Sequence, residues 1–373
     1  MTRFIRSIFG TKTFDDASRR LTVLLLVTFT LFMTACPKNG PKTVVRDRFD
    51  YNTAISDSMK DQMLMNIVKL RYLDYPVFVD VSSIINSYEF QASASLSAEL
   101  ATPGSNLLDG AVAGTYSNRP TITYTPLTSN QYVRGLLTPL PPELVFFTVD
   151  AGYRADIILL TTVSSINGLH NDTSGDEGFG SGDPAFFRVA EILRDLQRTG
   201  AIALFVKVKP DKTRVPVLQF VTENQPQKIA SEVAEIKELL KVDPSEKEFQ
   251  LTFGTTRTSE KTEITLQTRS LIQILGSLAA RVDVPAGDDS LGVSLKGLPA
   301  PSASQPSQQL FHVTVSDRRP ARAFITVRYR DHWFSIDDAD LRSKRVFAVL
   351  LLLFSFGDNK GGENLPILTI PVN

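Results

Sequence analysis

The amino-acid sequence predicts an α+β protein with mixed, mainly antiparallel sheets, packed helices and an N-terminal signal and tether. Three observations carry this prediction. Several segments place apolar residues at helical spacing, whereas others alternate apolar and polar residues as half-buried strands do. The two kinds of segment follow each other in a mixed order, and no internal repeat is present.

The N-terminus contains the parts of a secretory signal. Basic residues such as Arg3, Arg6 and Arg19 precede an apolar run over residues 21–33, and small residues follow the run. The run is shorter than the roughly 20 apolar residues that a membrane-spanning helix needs. The pattern predicts a signal peptide over residues 1–35, and the alternative is an uncut signal anchor.

Cys36 is the only cysteine in the chain of 373 residues. The stretch Met33-Thr34-Ala35-Cys36 resembles the lipobox of bacterial lipoproteins, with Met where Leu is commoner. The resemblance implies that the sulfur of Cys36 carries a diacylglycerol and that the signal is cut before it; several acyl chains hold a protein firmly in a membrane. Pro37 stands where Asp often marks inner-membrane retention. The expected location is therefore the outer membrane of a Gram-negative bacterium, with the chain facing the periplasm.

Composition limits the classes of function. The 40 basic residues balance the 40 acidic ones, and no long basic block is present, so we expect no nucleic-acid binding. A single cysteine excludes an internal disulfide and a cysteine-based metal site.

The mature chain divides into a lipidated cysteine with a tether (36–50), an N-terminal α+β region (51–169) and a C-terminal α+β region (184–373). A helix is predicted from residue 51 to the residue before Pro76, with Met59, Met63 and Ile67 on its apolar face. Two short helices near 131–137 and 142–151 and a buried strand over 155–169 complete the first region. A glycine-rich acidic loop over 170–184 marks the boundary between the two regions.

The N-terminal region also contains a long predicted hairpin within residues 87–125. Residues 87–100 alternate strictly between apolar and polar, and a second strand region follows over 111–126. One interpretation is half of an antiparallel sheet that lies on a helix with its polar face in water. The other is a strand pair contributed to an oligomeric pore, since about 9–11 alternating residues span a bilayer.

The C-terminal region mixes helices and strands. We predict helices over 184–199, 227–241, 270–281 and 339–356, the last capped by Asp337 or Asp338. Strands are predicted over 201–208, 215–221, 248–256, 263–268, 310–315 and 365–372. The third and fourth strands are expected to form a hairpin, residues 283–308 a flexible loop, and residues 321–336 a tight hairpin that turns near Arg330 and Asp331.

No segment contains a recognisable catalytic set. His170, His312 and His332 are far apart in sequence, and no phosphate loop, dinucleotide fingerprint or nucleophile elbow occurs, so the sequence predicts no catalytic residue, metal or cofactor. The densest polar-aromatic cluster offers a candidate ligand or partner contact made of Arg328, Arg330, His332, Trp333 and Asp337. Its structural interpretation is a hairpin with alternating core and surface residues, followed by a helix cap.

Several stretches resemble a family of bacterial outer-membrane-type lipoproteins that carries no transferable activity. They are residues 63–84, 122–143, 164–171, 324–356 and 365–372. The expected function is a structural, assembly or interaction role in the cell envelope, with the membrane as one partner through the lipid anchor and an envelope protein or a second copy as another. The alternatives are a periplasmic ligand-binding protein or hydrolase that uses residues 328–340, and an oligomeric pore that uses residues 87–125.

Overall fold

The computed structural model describes residues 40–101, 105–175, 178–223, 225–254, 260–298 and 310–358. Cys36, the signal peptide over 1–35 and the predicted strand over 365–372 lie outside these ranges. The predictions made for them therefore stay predictions.

The α+β class with mainly antiparallel sheets is confirmed. The helices of the described residues are α1 Gly40–Arg71, α2 Asn130–Leu137, α3 Pro142–Asp150, α4 Ala155–Thr162, α5 Pro184–Thr199, α6 Gln227–Leu239, α7 Leu271–Ala279, α8 Ala286–Leu291 and α9 Leu341–Asp358. The described residues divide into two units, one that ends at Asp57 and one that begins at Ser58, so the boundary falls within α1. Because α1 begins at Gly40, residues 40–50 of the predicted tether are helical; Pro41 fits the first helical turn, where no backbone donor is required.

The first four described strands form two antiparallel pairs, the second nested within the first along the chain. They are β1 Val79–Ile85, β2 Tyr88–Ala101, β3 Ser105–Asn118 and β4 Thr121–Pro126. Strand β1 pairs with β4, and β2 pairs with β3 over 14 consecutive residue pairs. A hydrogen bond from the Arg119 amide to the Ser87 carbonyl (3.0 Å) connects the two ladders. The long hairpin is thus confirmed, and its second strand begins at Ser105, earlier than predicted.

The main sheet has six strands in the order β6-β5-β12-β11-β10-β9. These strands are β5 Val163–Ile166, β6 Leu169–His170, β9 Ile202–Val208, β10 Arg214–Phe220, β11 Glu248–Phe253 and β12 Glu263–Thr268; between β6 and β9 lies the short pair β7 Asp172–Gly175 and β8 Gly178–Ser181. The predicted hairpin of β11 and β12 is wrong, since the two strands are parallel, with Gln250 opposite Glu263. Apolar periodicity identifies the buried face of a strand but not its direction. The sheet also crosses the predicted boundary at 170–184.

The segment 155–169 differs from the predicted buried strand. Residues 155–162 are the helix α4, all eight of them buried, and only Val163–Ile166 are extended. A segment that is buried on every side carries no period that separates helix from strand. Thr161 and Thr162 donate their hydroxyls to the carbonyls of Ile157 and Ile158 (2.7 Å each), which satisfies these polar groups within the helix.

A three-stranded sheet precedes the last helix. It contains β13 Thr314–Ser316, β14 Ile325–Tyr329 and β15 His332–Ile336 in the order β13-β15-β14. The predicted tight turn at Arg330 and Asp331 is confirmed, and both residues have positive φ (45° and 65°). The cap of α9 is Asp340, not Asp337 or Asp338, because its carboxylate accepts the amides of Arg342 (3.1 Å) and Ser343 (3.0 Å).

From residue 58 onward, one apolar core connects the described helices, the main sheet and the three-stranded sheet. It includes Leu64 and Ile67 of α1, Leu266 of β12, Leu275 of α7 and Phe334 of β15, all with no exposed area. The apolar half of α9 is buried here through Val346, Phe347 and Leu350. Across the described ranges, no helix combines the length and the apolar character needed to cross a bilayer.

Candidate functional site

The predicted contact residues lie together on the β14–β15 hairpin, but most of them face partners within the chain. Arg328 pairs with Asp331 at 3.0 Å, and both side chains are exposed. Arg330 lies over the ring of Tyr72, with 4.5 Å between the guanidinium carbon and the ring centre, and at 5.7 Å from the ring of Tyr329. Arg330 therefore holds the turn between β14 and β15 against Tyr72, the residue that follows α1.

The other three predicted residues are engaged in the same way. The Nδ1 atom of His332 lies 3.1 Å from a carboxylate oxygen of Asp317. Trp333 has the guanidinium of Arg319 over its ring at 5.5 Å. Asp337 accepts the amide of Ala339 at 2.7 Å. The hairpin brings these residues close in sequence and space, yet none of them lines the cavity described next.

That cavity, which we call the Arg71 cavity, has a volume of about 760 Å³. It is formed where the end of α1, the loop after α7, helix α8 and the segment before β13 meet. Its lining includes Arg71, Arg281, Asp283, Asp289, Lys296, Phe311 and His312. Apolar walls with a few polar groups are typical of small-molecule sites.

Arg71 is the most unusual residue of this cavity. Its side chain is 4% exposed, and its Nε and Nη1 atoms are buried without a hydrogen-bond partner among the described residues. Burial lowers the pKa of the Arg71 guanidinium, and the charge of Asp289 opposes this shift. A buried cation without paired donors is costly, so the position calls for an anionic or polar acceptor.

Local structure fixes the position of Arg71. The Arg71 carbonyl accepts the amide of Leu295 at 2.9 Å, which holds the segment after α8 against the end of α1. At Gly297 a Cβ atom would lie 2.6 Å from Nη2 of Arg71. Glycine at this position therefore leaves the space that the guanidinium occupies.

His312 lies on the other side of the cavity. Its Nε2 atom is 2.9 Å from a carboxylate oxygen of Asp283, and its backbone amide donates to the Ser343 hydroxyl at 2.9 Å. The hydrogen bond to Asp283 raises the pKa of His312, while partial burial acts against it. Lys296 is exposed at the rim, and no salt bridge of this lysine occurs within the described residues.

Sequence reasoning missed Arg71 and Lys296. A basic residue in the last turn of a helix is common because it favours the helix dipole, so Arg71 gives no signal of a site. Only the fold shows that the guanidinium is enclosed and that His312 faces the same cavity. His170, in contrast, lies on β6 and does not line this cavity.

The β2–β3 hairpin is a second candidate surface. Directly opposite residues of an antiparallel pair lie on the same face, and the register places apolar residue types together on one face. The pairs of that face include Phe90 with Tyr116, Ala94 with Val112 and Ala98 with Leu108, whereas the other face includes Glu89 with Ser117, Gln91 with Thr115 and Ser97 with Asp109. The register therefore places mainly apolar residue types on one face and mainly polar residue types on the other, with Asn106 as an exception on the first face and Leu107 on the second.

Comparison of the chain with family models, curated proteins and solved structures finds no match. In the described part of the chain, no group of three or more His, Cys, Asp or Glu residues is arranged to hold a metal ion.

Proposed function

We propose that this chain is a lipid-anchored protein of the bacterial cell envelope with a structural, assembly or interaction role. Residues 33–36 supply the anchor signal, with Cys36 as the acylated residue and the outer membrane as the destination. The partner is another envelope protein or a second copy of the chain.

The β2–β3 hairpin is the observation that carries the proposal. Its strands hydrogen-bond only to each other among the described strands, so both outer edges offer unpaired backbone groups over 14 residues. An isolated two-stranded hairpin is marginally stable in water, and open edges are templates for pairing with another chain. A hairpin with one apolar face in addition to open edges is best explained as an element that a partner covers.

Two experiments test the proposal separately. Metabolic labelling with a fatty-acid analogue should mark the wild-type chain and not Cys36→Ala, whose signal should stay uncut. Retention of Cys36→Ala in the membrane after a carbonate wash, with normal maturation, would contradict the anchor. For the partner, a photo-crosslinking residue at Thr115 on the hairpin should give one defined adduct in cells, and the same probe at exposed Lys209 should not. Absence of a hairpin-specific adduct would contradict the interaction role.

The register of the hairpin also favours the oligomeric pore as a second candidate. Fourteen paired residues with one apolar face exceed the roughly 9–11 residues that a strand needs to cross a bilayer. Size measurement of the intact chain in detergent decides between the two candidates. A ring of several copies supports the pore, and a strict monomer excludes it. The ligand-binding alternative at residues 328–340 gains no such support, because the groups there contact partners within the chain.

A further inference from the structure

We propose that the Arg71 cavity binds a small organic oxyanion, a carboxylate or phosphate carried on an apolar body. The proposal is independent of the lipid anchor and of the hairpin. It rests on an enclosed cation, on the balance of charges around it and on the walls of the cavity.

The first argument is the state of the Arg71 guanidinium. Two of its nitrogen atoms are buried without a hydrogen-bond partner in the described residues, and the residue is 4% exposed. An enclosed cation is retained at low cost only where an acceptor group satisfies it. Arginine donors match the geometry of carboxylate and phosphate oxygens better than that of any neutral group.

The second argument is the charge of the lining. Arg71 and Lys296 contribute two cations, and Asp283 and Asp289 contribute two carboxylates. One of these carboxylates, Asp283, already accepts from His312 at 2.9 Å. A ligand with a negative group therefore complements the lining, whereas a cation would compete with Arg71 for Asp289.

The third argument concerns the size and walls of the cavity. A volume of about 760 Å³ is far larger than a bare phosphate or carboxylate needs and lies within the usual range of roughly 300–1,000 Å³ for ligand sites. Val282, Leu298 and Phe311 supply apolar wall. These walls fit an organic body attached to the anionic group.

The adjoining sequence offers no counter-charge of its own. Residues 299–309, which follow Leu298 and lie outside the described ranges, read PAPSASQPSQQ and contain no acidic side chain. Among the described residues, Asp289 is the carboxylate that acts most strongly on Arg71, and two of the guanidinium nitrogens still have no hydrogen-bond partner there.

Calorimetric titration of the full chain with matched probes tests this inference. Benzoate and phenyl phosphate carry an oxyanion on an aromatic ring, and benzyl alcohol carries the same ring without the charge. We expect saturable binding of at least one anion and about tenfold weaker or no binding of benzyl alcohol, because benzyl alcohol cannot offer Arg71 a charged hydrogen-bond acceptor. The two anions also distinguish a carboxylate site from a phosphate site.

Variants connect binding to the cavity. Arg71→Gln should weaken anion binding by about tenfold, exposed Lys296→Gln should weaken it by a smaller factor, and Arg328→Gln, outside the cavity, should leave it unchanged. No binding of either anion to the folded wild type would overturn the proposal. So would equal binding of benzyl alcohol, or unchanged affinity in both Arg71→Gln and Lys296→Gln.

A stability measurement keeps the test decisive if binding is weak. Without ligand, Arg71→Met should leave the urea midpoint unchanged or raise it, since an apolar residue replaces a buried cation two of whose donors lack a hydrogen-bond partner among the described residues. A large drop in the midpoint, together with a failure of both anions to bind, would mean that the chain itself satisfies Arg71, and the proposal would fall.

Discussion

The guanidinium carbon of Arg330 lies 4.5 Å from the centre of the Tyr72 ring, so the turn between β14 and β15 is fastened to the residue that follows α1. Two hydrogen bonds strengthen the same junction. The Tyr329 hydroxyl donates to Asp74 at 2.9 Å, and the Tyr72 hydroxyl donates to Asp288 at 2.8 Å. The turn, the end of α1 and helix α8 are thereby connected next to the Arg71 cavity.

Arg330→Ala should lower the free energy of unfolding by about 0.5–1 kcal/mol, which is what an exposed cation over an aromatic ring contributes. Alanine keeps the Cβ atom, so the cost of the positive φ at this position (45°) is unchanged. The matched control is Arg328→Ala, whose exposed pair with Asp331 should contribute less than about 0.5 kcal/mol. Urea denaturation of both variants measures the two losses of unfolding free energy. Equal losses would show that the contact of Arg330 with Tyr72 does not stabilise the fold.

Gly182→Ala should lower the free energy of unfolding by more than about 2 kcal/mol, because a Cβ atom there meets backbone that cannot move aside cheaply. The added atom would lie 1.8 Å from the Asn171 carbonyl oxygen and 2.6 Å from the His170 carbonyl oxygen. Gly287→Ala in α8 is the control, since no atom lies within 4 Å of its added Cβ. Alanine there should be neutral or stabilise by up to about 1 kcal/mol. Equal thermal midpoints for the two variants would show that the contact at Gly182 is not tight.

Periodicity predicted the elements in which one face is buried and the other is wet. Helix α5 was predicted at its observed bounds, Pro184–Thr199, because its buried residues recur at helical spacing and a glycine follows. Helix α4 was missed because all of its residues are buried. The direction of β12 was missed because pairing depends on the strands around it; the Asn167 carboxamide oxygen accepts the Thr265 amide at 2.7 Å, which fastens β12 to the turn after β5.

The candidate site was harder to predict than the fold. The residue types of the β14–β15 hairpin suggested a ligand contact, but Arg330 and Trp333 are used in internal cation–π contacts. Arg71 gave no signal in the sequence. Its surroundings depend on residues that the fold brings to the end of α1, such as Lys296 and His312, which are more than 200 positions away along the chain. Sequence patterns report burial along one element, whereas a site depends on what several elements place together.

The pKa of His312 should fall in Asp283→Asn, because the hydrogen bond to the Asp283 carboxylate raises it above its ordinary value of 6.5. Asp340 adds a smaller raising effect and is unchanged in the variant. Proton NMR can follow the titration directly, since the chain has three histidines. An unchanged pKa of His312 in Asp283→Asn would contradict the effect of this hydrogen bond.

The same pair makes stability depend on pH. A histidine whose folded pKa is raised contributes stability below its unfolded pKa, near 6.5, and that contribution is lost as the pH rises through the folded pKa. The wild type should therefore exceed Asp283→Asn in unfolding free energy at pH 5.5, and the difference should shrink at pH 8.5. Both side chains are partly exposed, so the difference should stay below about 1 kcal/mol. A difference that grows with pH would contradict the assignment.

Asp340→Ala should lower the free energy of unfolding by about 1 kcal/mol, the usual cost of losing a helix cap. Its carboxylate accepts two amides at the start of α9 and also the Ser343 hydroxyl at 2.5 Å. The same hydroxyl accepts the backbone amide of His312, so the cap also holds one wall of the Arg71 cavity.

Asp337→Ala is the control, because Asp337 accepts only the Ala339 amide before the helix. In urea denaturation, Asp340→Ala should have a clearly lower free energy of unfolding than Asp337→Ala. Amide hydrogen exchange at Arg342 and Ser343 should be faster in Asp340→Ala alone. A lower free energy of unfolding for Asp337→Ala than for Asp340→Ala would indicate that Asp337 is the cap.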